Sequence, residues 1–256
     1  MIENKVKRAL LSGGTCVGTM ITDARTPAIA QVLANAGFDY FILDTDHGAF
    51  SMETVADLML MSRLVGIAPF VRVPDGEYPW IARTLDAGAL GIMLPRVRTR
   101  EQVEAFVRYA KYPPMGERGM AAGRGNTQYR GMKLVEYAPL ANEATFLILQ
   151  IETREAIENI DALLSVPGVD AALIGPNDLH MSYGVPGDGE HPTVSEAIQK
   201  VLDSANRYSL PCGTHVRDMQ NLKGWRAKGM RLLMYSSDFG LMSQAGAAAV
   251  KELRPV

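Results

Sequence analysis

The sequence predicts an α/β barrel of eight strand–helix pairs, on three observations. Short, continuously apolar runs alternate with amphipathic stretches along the whole chain. Parallel strands covered on both faces read this way, without polar alternation. Glycines fall just before five of these runs, at Gly37, Gly66, Gly88, Gly168 and Gly229, where they mark helix ends. Finally, 256 residues is a usual length for eight such pairs closed into one domain.

In order, the apolar runs place strands at 17–20, 40–43 and 68–72, the third reading APFVR, and at 91–94. The fifth, 146–151, carries one polar residue, Gln150, and ends at Glu152. Pro167-Gly168 precedes the sixth, 171–174, which opens into Gly-Pro-Asn-Asp. The last two fall at 211–214 and 232–235. Helical periodicity occupies 26–36, 51–64, 80–86, 99–111, 156–165, 194–208 and 219–227, with a final helix over 241–253. An irregular insert at 112–131 interrupts the rhythm, and connections of that length are often functional. A doubly wound open sheet is the competing fold, but G-x-G-x-x-G is missing after the first strand. No linker or low-complexity tract divides residues 1–256, so one domain is expected.

Composition excludes several classes. The chain is 47% apolar and 21% charged with a net charge of −2, which gives no broad basic surface for nucleic acid or an anionic membrane. Cys16 and Cys212 form neither a metal-binding spacing nor a disulfide framework, as for reduced cytosolic thiols. No segment approaches the roughly 20 apolar residues of a membrane helix, and the amino terminus lacks a signal-peptide core. A cytoplasmic protein is the expectation.

A barrel gathers its chemistry in the loops after the strands. Strand two ends in Asp44-Thr45-Asp46-His47, strand three in Arg72, and strand five in Gln150 and Glu152. Strand six leads to Asp178, strand seven to Thr214-His215, and strand eight to Ser236-Ser237-Asp238. Glu152 and Asp178 follow neighbouring strands, which lie about 4.8 Å apart. Two carboxylates that close repel unless a cation or proton joins them, and a hard divalent metal resolves this. Either acid alone could instead charge or cap a helix start.

His47 after Asp44 predicts an imidazole oriented by a carboxylate, against the alternative of a local hydrogen bond. Arg72 suits a carboxylate or enolate oxygen, or a salt bridge to Asp44 or Asp46. Arg118, Arg124 and Arg130 lie among glycines in the insert, as a solvated loop or as cations for an anionic substrate, with Arg118 the best candidate. His215 either lines the site or fills its rim, the rim being the expectation; His180 and His191 are expected on the surface.

The segments LDTDH, PFVR, LPRVRTREQVE, YPPMGERG, LQIETREAIENID and PGVDAALIGPNDL, in this order, resemble the metal-dependent (class II) pyruvate aldolases. That family includes the 4-hydroxy-2-oxoheptanedioate and 2-dehydro-3-deoxyglucarate aldolases, and the likeness runs over about residues 18–245. It implies a TIM barrel of the phosphoenolpyruvate/pyruvate-binding type, assembled as a hexamer (a dimer of trimers) with the last helix exchanged between subunits. By match, Glu152 and Asp178 hold Mg²⁺, Mn²⁺ or Co²⁺, on which pyruvate is chelated. Arg72 stabilises the enolate, and His47 with Asp44 handles protons. Gln150 and the backbone at Gly175 and Pro176 contact the keto acid, and Asp86 matches an acid that reaches a neighbouring subunit's site. The implied reaction is reversible cleavage of a 4-hydroxy-2-keto acid into pyruvate and an aldehyde.

Two departures concern the aldehyde side. Asp46 stands where the family usually has Glu, and Gly-Ala-Phe follows His47 where many relatives have Ala-Pro. The rival readings are a lyase of malyl- or citramalyl-coenzyme A type, and a non-catalytic barrel that binds a keto acid.

Overall fold

The computed structural model describes residues 3–187 and 191–254. Eight parallel strands close a barrel in sequence order. They are β1 (Cys16–Ile21), β2 (Tyr40–Asp44), β3 (Ala68–Arg72), β4 (Gly91–Leu94), β5 (Phe146–Ile151), β6 (Ala171–Ile174), β7 (Cys212–Val216) and β8 (Leu232–Ser237). The helix α1 (Lys5–Leu11) precedes the barrel, and α2 (Ala28–Asn35), α3 (Met52–Val65), α4 (Tyr78–Ala87) and α5 (Arg100–Ala110) follow the first four strands. The connection to β5 contains α6 (Leu134–Ala144). Two short helices, α7 (Arg154–Glu158) and α8 (Ile160–Leu164), lead to β6, and α9 (Pro176–Ser182) with α10 (Pro192–Arg207) leads to β7. The last two strands are followed by α11 (Met219–Ala227) and α12 (Asp238–Leu253). No described helix is long and apolar enough to cross a membrane.

Local chemistry explains the helix boundaries. The side chains of Ser51, Thr99, Thr153, Asp218 and Ser237 accept N–H groups of the turns they begin. All five glycines expected at helix ends have positive φ, among them Gly66 at 82° and Gly88 at 113°. Three details depart from the expected elements. The single helix over 156–165 is two pieces meeting at Asn159. The Gly-Pro-Asn-Asp segment starts α9, with Pro176 in the first position where a missing N–H costs nothing. The α6 helix contains Pro139, a residue that argues against a helix when read locally.

Register carries one side-chain parity around the barrel. Gly18 pairs with Tyr40, Ile42 with Phe70, Phe70 with Gly91, Met93 with Ile148, Ile148 with Ala171, and Leu173 with Gly213. Residues of this parity fill the interior, where Met20, Tyr40, Ile42, Phe70, Met93, Phe146, Ile148, Leu173 and Met234 form one buried cluster. The rings of Tyr40, Phe70 and Phe146 follow one another at centroid distances of 5.5 and 5.4 Å. Tyr40 is anchored by its hydroxyl, which donates to the Leu233 carbonyl at 2.9 Å. Packing is tight enough to require glycine opposite it: a Cβ on Gly18 would lie 2.3 Å from the Tyr40 ring.

Gly18→Ala is therefore expected to destabilise the protein by about 1–3 kcal/mol through overpacking. Gly224→Ala, in α11 with open space around the new methyl, is expected to be neutral or stabilising by up to about 1 kcal/mol. Urea unfolding midpoints measure both, and equal midpoints for the two variants would contradict this packing account.

Candidate active site

One step above the apolar interior, the same inward parity reaches Asp44, Arg72, Gln150 and His215 at the carboxyl ends of β2, β3, β5 and β7. Asp44 and Arg72 are register partners. Their side chains form a two-pronged pair, Arg72 Nε to Oδ1 at 2.9 Å and Nη2 to Oδ2 at 2.6 Å. Both are nearly inaccessible, at 2% and 6% exposure. Arg72 Nη1 turns towards Gln150 Oε1, at 3.5 Å.

Asp44 Oδ1 also accepts the backbone N–H groups of Asp46 and His47, at 3.1 and 3.2 Å. Burial alone would raise its pKa, but the Arg72 bonds and charge and the two N–H groups hold it below the ordinary carboxylate value. The expected imidazole–carboxylate pair of His47 and Asp44 is not formed, because Arg72 and the turn occupy both Asp44 oxygens. Asp44 instead fixes the backbone that carries His47. The His47 side chain is 67% exposed at the rim, with Nε2 3.9 Å from Asp46 Oδ2.

Glu152 lies at the end of β5, 2% exposed. Its Oε1 accepts the Arg96 N–H at 2.7 Å, and its Oε2 accepts Gln150 Nε2 at 2.5 Å. Arg96 presents that N–H from a left-handed conformation with φ 53°, uncommon for a residue other than glycine. Its guanidinium grips Asp46 at 2.7 and 3.1 Å. Gly175 leaves room for the glutamate: a Cβ there would meet Gln150 Nε2 and Glu152 Oε2, each at 2.8 Å. Asp178 is exposed in the first turn of α9 rather than in a loop. Burial, opposed by the Arg96 N–H and reinforced by the Asp178 charge, raises the Glu152 pKa to about 7.

The donor set fits a divalent cation. Once Glu152 is ionised, Asp44, Asp46, Glu152 and Asp178 supply four negative charges, and Arg72 and Arg96 supply two positive ones. Asp44 and Asp46 hold the two arginines, which leaves Glu152 and Asp178 without a side-chain cation of their own. Among the described residues no three His, Cys, Asp or Glu side chains gather into a closed metal cage. Two carboxylates with open positions beside them are what a hard cation shared with a chelating substrate requires.

Other expected site residues fall elsewhere. Arg118 does not reach the mouth of its own barrel. It donates to Asp86 at 2.5 Å, is 4% exposed and lies 4.6 Å over the Tyr112 ring. Asp86 occupies the last turn of α4, which leads into the start of β4, so this pair sits at the opposite end. The insert folds back because Asp86 and the buried Tyr112 ring offer its arginine a partner and a packing surface. Pro176 borders the mouth at the start of α9. His180, expected on the surface, is 7% exposed, and His215 lies inside the rim, near enough to Arg72 and Asp44 to feel their charges. Asp238 tethers rather than reacts, accepting the N–H groups of Thr22, Asp23 and Ala24. Sequence reasoning passed over Arg96, although polar residues after a strand were the signal used elsewhere.

Comparison with known proteins gives the class to which this barrel belongs. The model of the HpcH/HpaI aldolase/citrate lyase family matches residues 19–245, and the chain belongs to this family. It is 32% identical to the hydroxypyruvate/pyruvate aldolase of Roseobacter denitrificans, over 95% of this chain and 94% of that one. It is 30% identical to the 5-keto-4-deoxy-D-glucarate aldolase of Shigella dysenteriae, over 96% and 94%. The crystal structure of an HpcH/HpaI aldolase from Desulfitobacterium hafniense superposes with a TM-score of 0.93 at 35% identity, covering 98% of this chain and 96% of that one.

Glu152 also makes stability depend on pH in metal-free protein. The folded state holds its proton up to about pH 7, against 4.5 for the unreacted side chain. Its contribution is therefore fully present below about pH 4.5 and lost as pH rises through 7, a difference of about 3 kcal/mol. Glu152→Gln is expected to abolish this component. Unfolding in EDTA at about pH 5 and pH 8 tests it, and parallel pH slopes for the two proteins would refute it.

Proposed function

We propose that this chain is a divalent-metal-dependent aldolase that reversibly cleaves a 4-hydroxy-2-keto acid into pyruvate and an aldehyde. The observation that carries the reading is the juxtaposition in one mouth of a buried guanidinium, locked by Asp44, with the unpaired acids Glu152 and Asp178. The names of the relatives, which include a 2-keto-3-deoxy-L-rhamnonate aldolase, support a keto acid of sugar-acid type.

Cleavage breaks the C3–C4 bond, sends its electron pair towards the C2 oxygen as a pyruvate enolate, and releases the C4 hydroxyl proton. A divalent ion such as Mg²⁺, Mn²⁺ or Co²⁺ on Glu152 and Asp178 supplies Lewis acidity. Arg72 stabilises the charge developing at the C2 oxygen, its planar fork already oriented by Asp44 so that little reorganisation remains. Gln150, held between Arg72 and Glu152, and the backbone at Gly175 and Pro176 position the keto acid. His47, exposed on the turn that Asp44 braces, takes the hydroxyl proton. A Schiff-base route has no support: burial pulls Lys111 down to about 8, but its Nζ donates to the carbonyls of Asn142 and Thr145, before β5.

Assembly through the last helix belongs to the same proposal. Asp238 is the only buried residue described in α12, and Phe239, Met242, Val250 and Leu253 are exposed. An apolar face of this kind supports exchange between subunits of a hexamer, which would bring the Asp86 of one subunit towards another's site.

Lactate dehydrogenase and NADH report pyruvate released from a panel of 4-hydroxy-2-keto acids. EDTA-stripped protein is expected to be inactive, to recover with added metal, and to lose that recovery in Glu152→Ala. Arg72→Ala is expected to lower kcat by about 10²–10³. Undiminished turnover in EDTA would overturn the proposal.

A further inference from the structure

A cleft of about 820 Å³ leaves the mouth beside Pro176 and Asn177 and runs along α9, α10 and α11 past Met181, Ile198 and Trp225. Two imidazoles meet it, those of His180 and His215, and neither takes part in the chemistry above. Each commits one ring nitrogen to a backbone carbonyl. His215 Nε2 lies 2.8 Å from the Ser236 oxygen, and His180 Nδ1 lies 2.5 Å from the Pro176 oxygen. A carbonyl oxygen only accepts, so both of these nitrogens carry hydrogen. In a neutral ring the opposite nitrogen is then a bare acceptor. His180 Nε2 is buried with no partner among the described residues, and His215 Nδ1 makes no hydrogen bond among them.

The fold holds the His215 ring in this state. Burial, aided by Arg72 and Arg217 and opposed by the Ser236 bond and Asp44, keeps its pKa below the ordinary histidine value. Ser236 turns its carbonyl to the ring from a left-handed conformation, φ 57°, where β8 slips in register against β1. The same oxygen accepts from the Thr19 hydroxyl at 3.3 Å. Strained, non-glycine backbone of this kind concentrates at functional sites.

We infer that His215 is a specificity residue that reads a hydroxyl group on the aldehyde half of the substrate, its Nδ1 accepting the hydrogen bond. The inference rests on the aldolase reading. Gln150, Glu152, Gly175 and Asp178 take the keto-acid half, the C4 hydroxyl meets His47, and the chain beyond C4 turns past His215 into the cleft that Pro176 and Asn177 border. An apolar aldehyde displaces water from the partly buried Nδ1 and gives no hydrogen bond back, so it binds less well than one that carries a hydroxyl. The cleft therefore favours a hydroxylated chain over its deoxy counterpart.

The test condenses pyruvate with lactaldehyde or propanal, and with glyceraldehyde, using metal-loaded protein. The readout is the ratio of kcat/KM for the hydroxylated over the deoxy aldehyde. The inductive effect of the hydroxyl is common to all variants, so the change in ratio isolates the contact. His215→Leu is expected to lower the ratio about tenfold. His215→Gln keeps a donor for the Ser236 carbonyl but loses the acceptor at Nδ1, and is expected to fall equally. His215→Asn places Oδ1 where Nδ1 was and is expected to retain the ratio within about twofold. An unchanged ratio in His215→Leu, or retention in Gln with loss in Asn, would show that the ring only braces Ser236 and would overturn the inference. Should the variants not fold, ¹⁵N NMR of the native protein decides, since a His215 hydrogen on Nδ1 overturns it. Native protein that neither condenses any aldehyde nor exchanges the pyruvate methyl hydrogens for deuterium defeats the aldolase reading. Exchange and condensation without hydroxyl discrimination defeats this inference alone.

Discussion

The bidentate pair between Asp44 and Arg72 organises the mouth of the barrel. Two charges at adjacent strand ends are buried almost completely, which is tolerable only because geometry is near ideal and the remaining Asp44 lone pairs receive turn N–H groups. From this pair the network extends on both sides. Asp44 shapes the turn that carries Asp46 and His47, Asp46 holds the Arg96 guanidinium, and the Arg96 N–H holds Glu152. Four consecutive strands, β2 to β5, are thus joined at their carboxyl ends by alternating acids and arginines. Removing Asp44 or Arg72 leaves an uncompensated buried charge and disturbs the residues linked to it.

Backbone strain has a specific use here. Arg96 and Ser236 both adopt left-handed conformations on opposite sides of the mouth. One turns an N–H towards the Glu152 carboxylate; the other turns a C=O towards the His215 ring. A regular strand end directs neither backbone group inward. Each makes a hydrogen bond with a side chain at the mouth.

The alternation of buried strands and the glycines at helix ends were legible in the sequence because they reflect local chemistry: apolar β-runs need two covers, and left-handed caps need glycine. The positions of Asp44, Arg72, Gln150 and Glu152 were legible for a related reason, since each lies at or beside the end of an apolar run and a barrel puts all strand ends on one face. Partner choice was not legible. Asp44 could take His47 or Arg72, and the planar fork of a register partner outcompeted a flexible imidazole three residues on. Arg118 could face the mouth or Asp86, and only the folded path of the insert decides. The α6 helix stayed hidden because Pro139 opposes a helix locally while tertiary packing of Tyr137 and Ala141 against Tyr112 supports one.

The apolar floor links stability to chemistry. Met20, Ile42, Phe70, Met93, Ile148, Leu173 and Met234 lie directly beneath the charged layer, so water screens that layer from one side only. The same low polarisability raises the pKa of Glu152 and strengthens every interaction of Arg72 with charge that develops nearby. A more polar floor would make the metal-free site easier to maintain and the guanidinium less effective. In the proposed reaction the cost of burying the acids and the effect of the arginine therefore have one cause, and neither can be changed without the other.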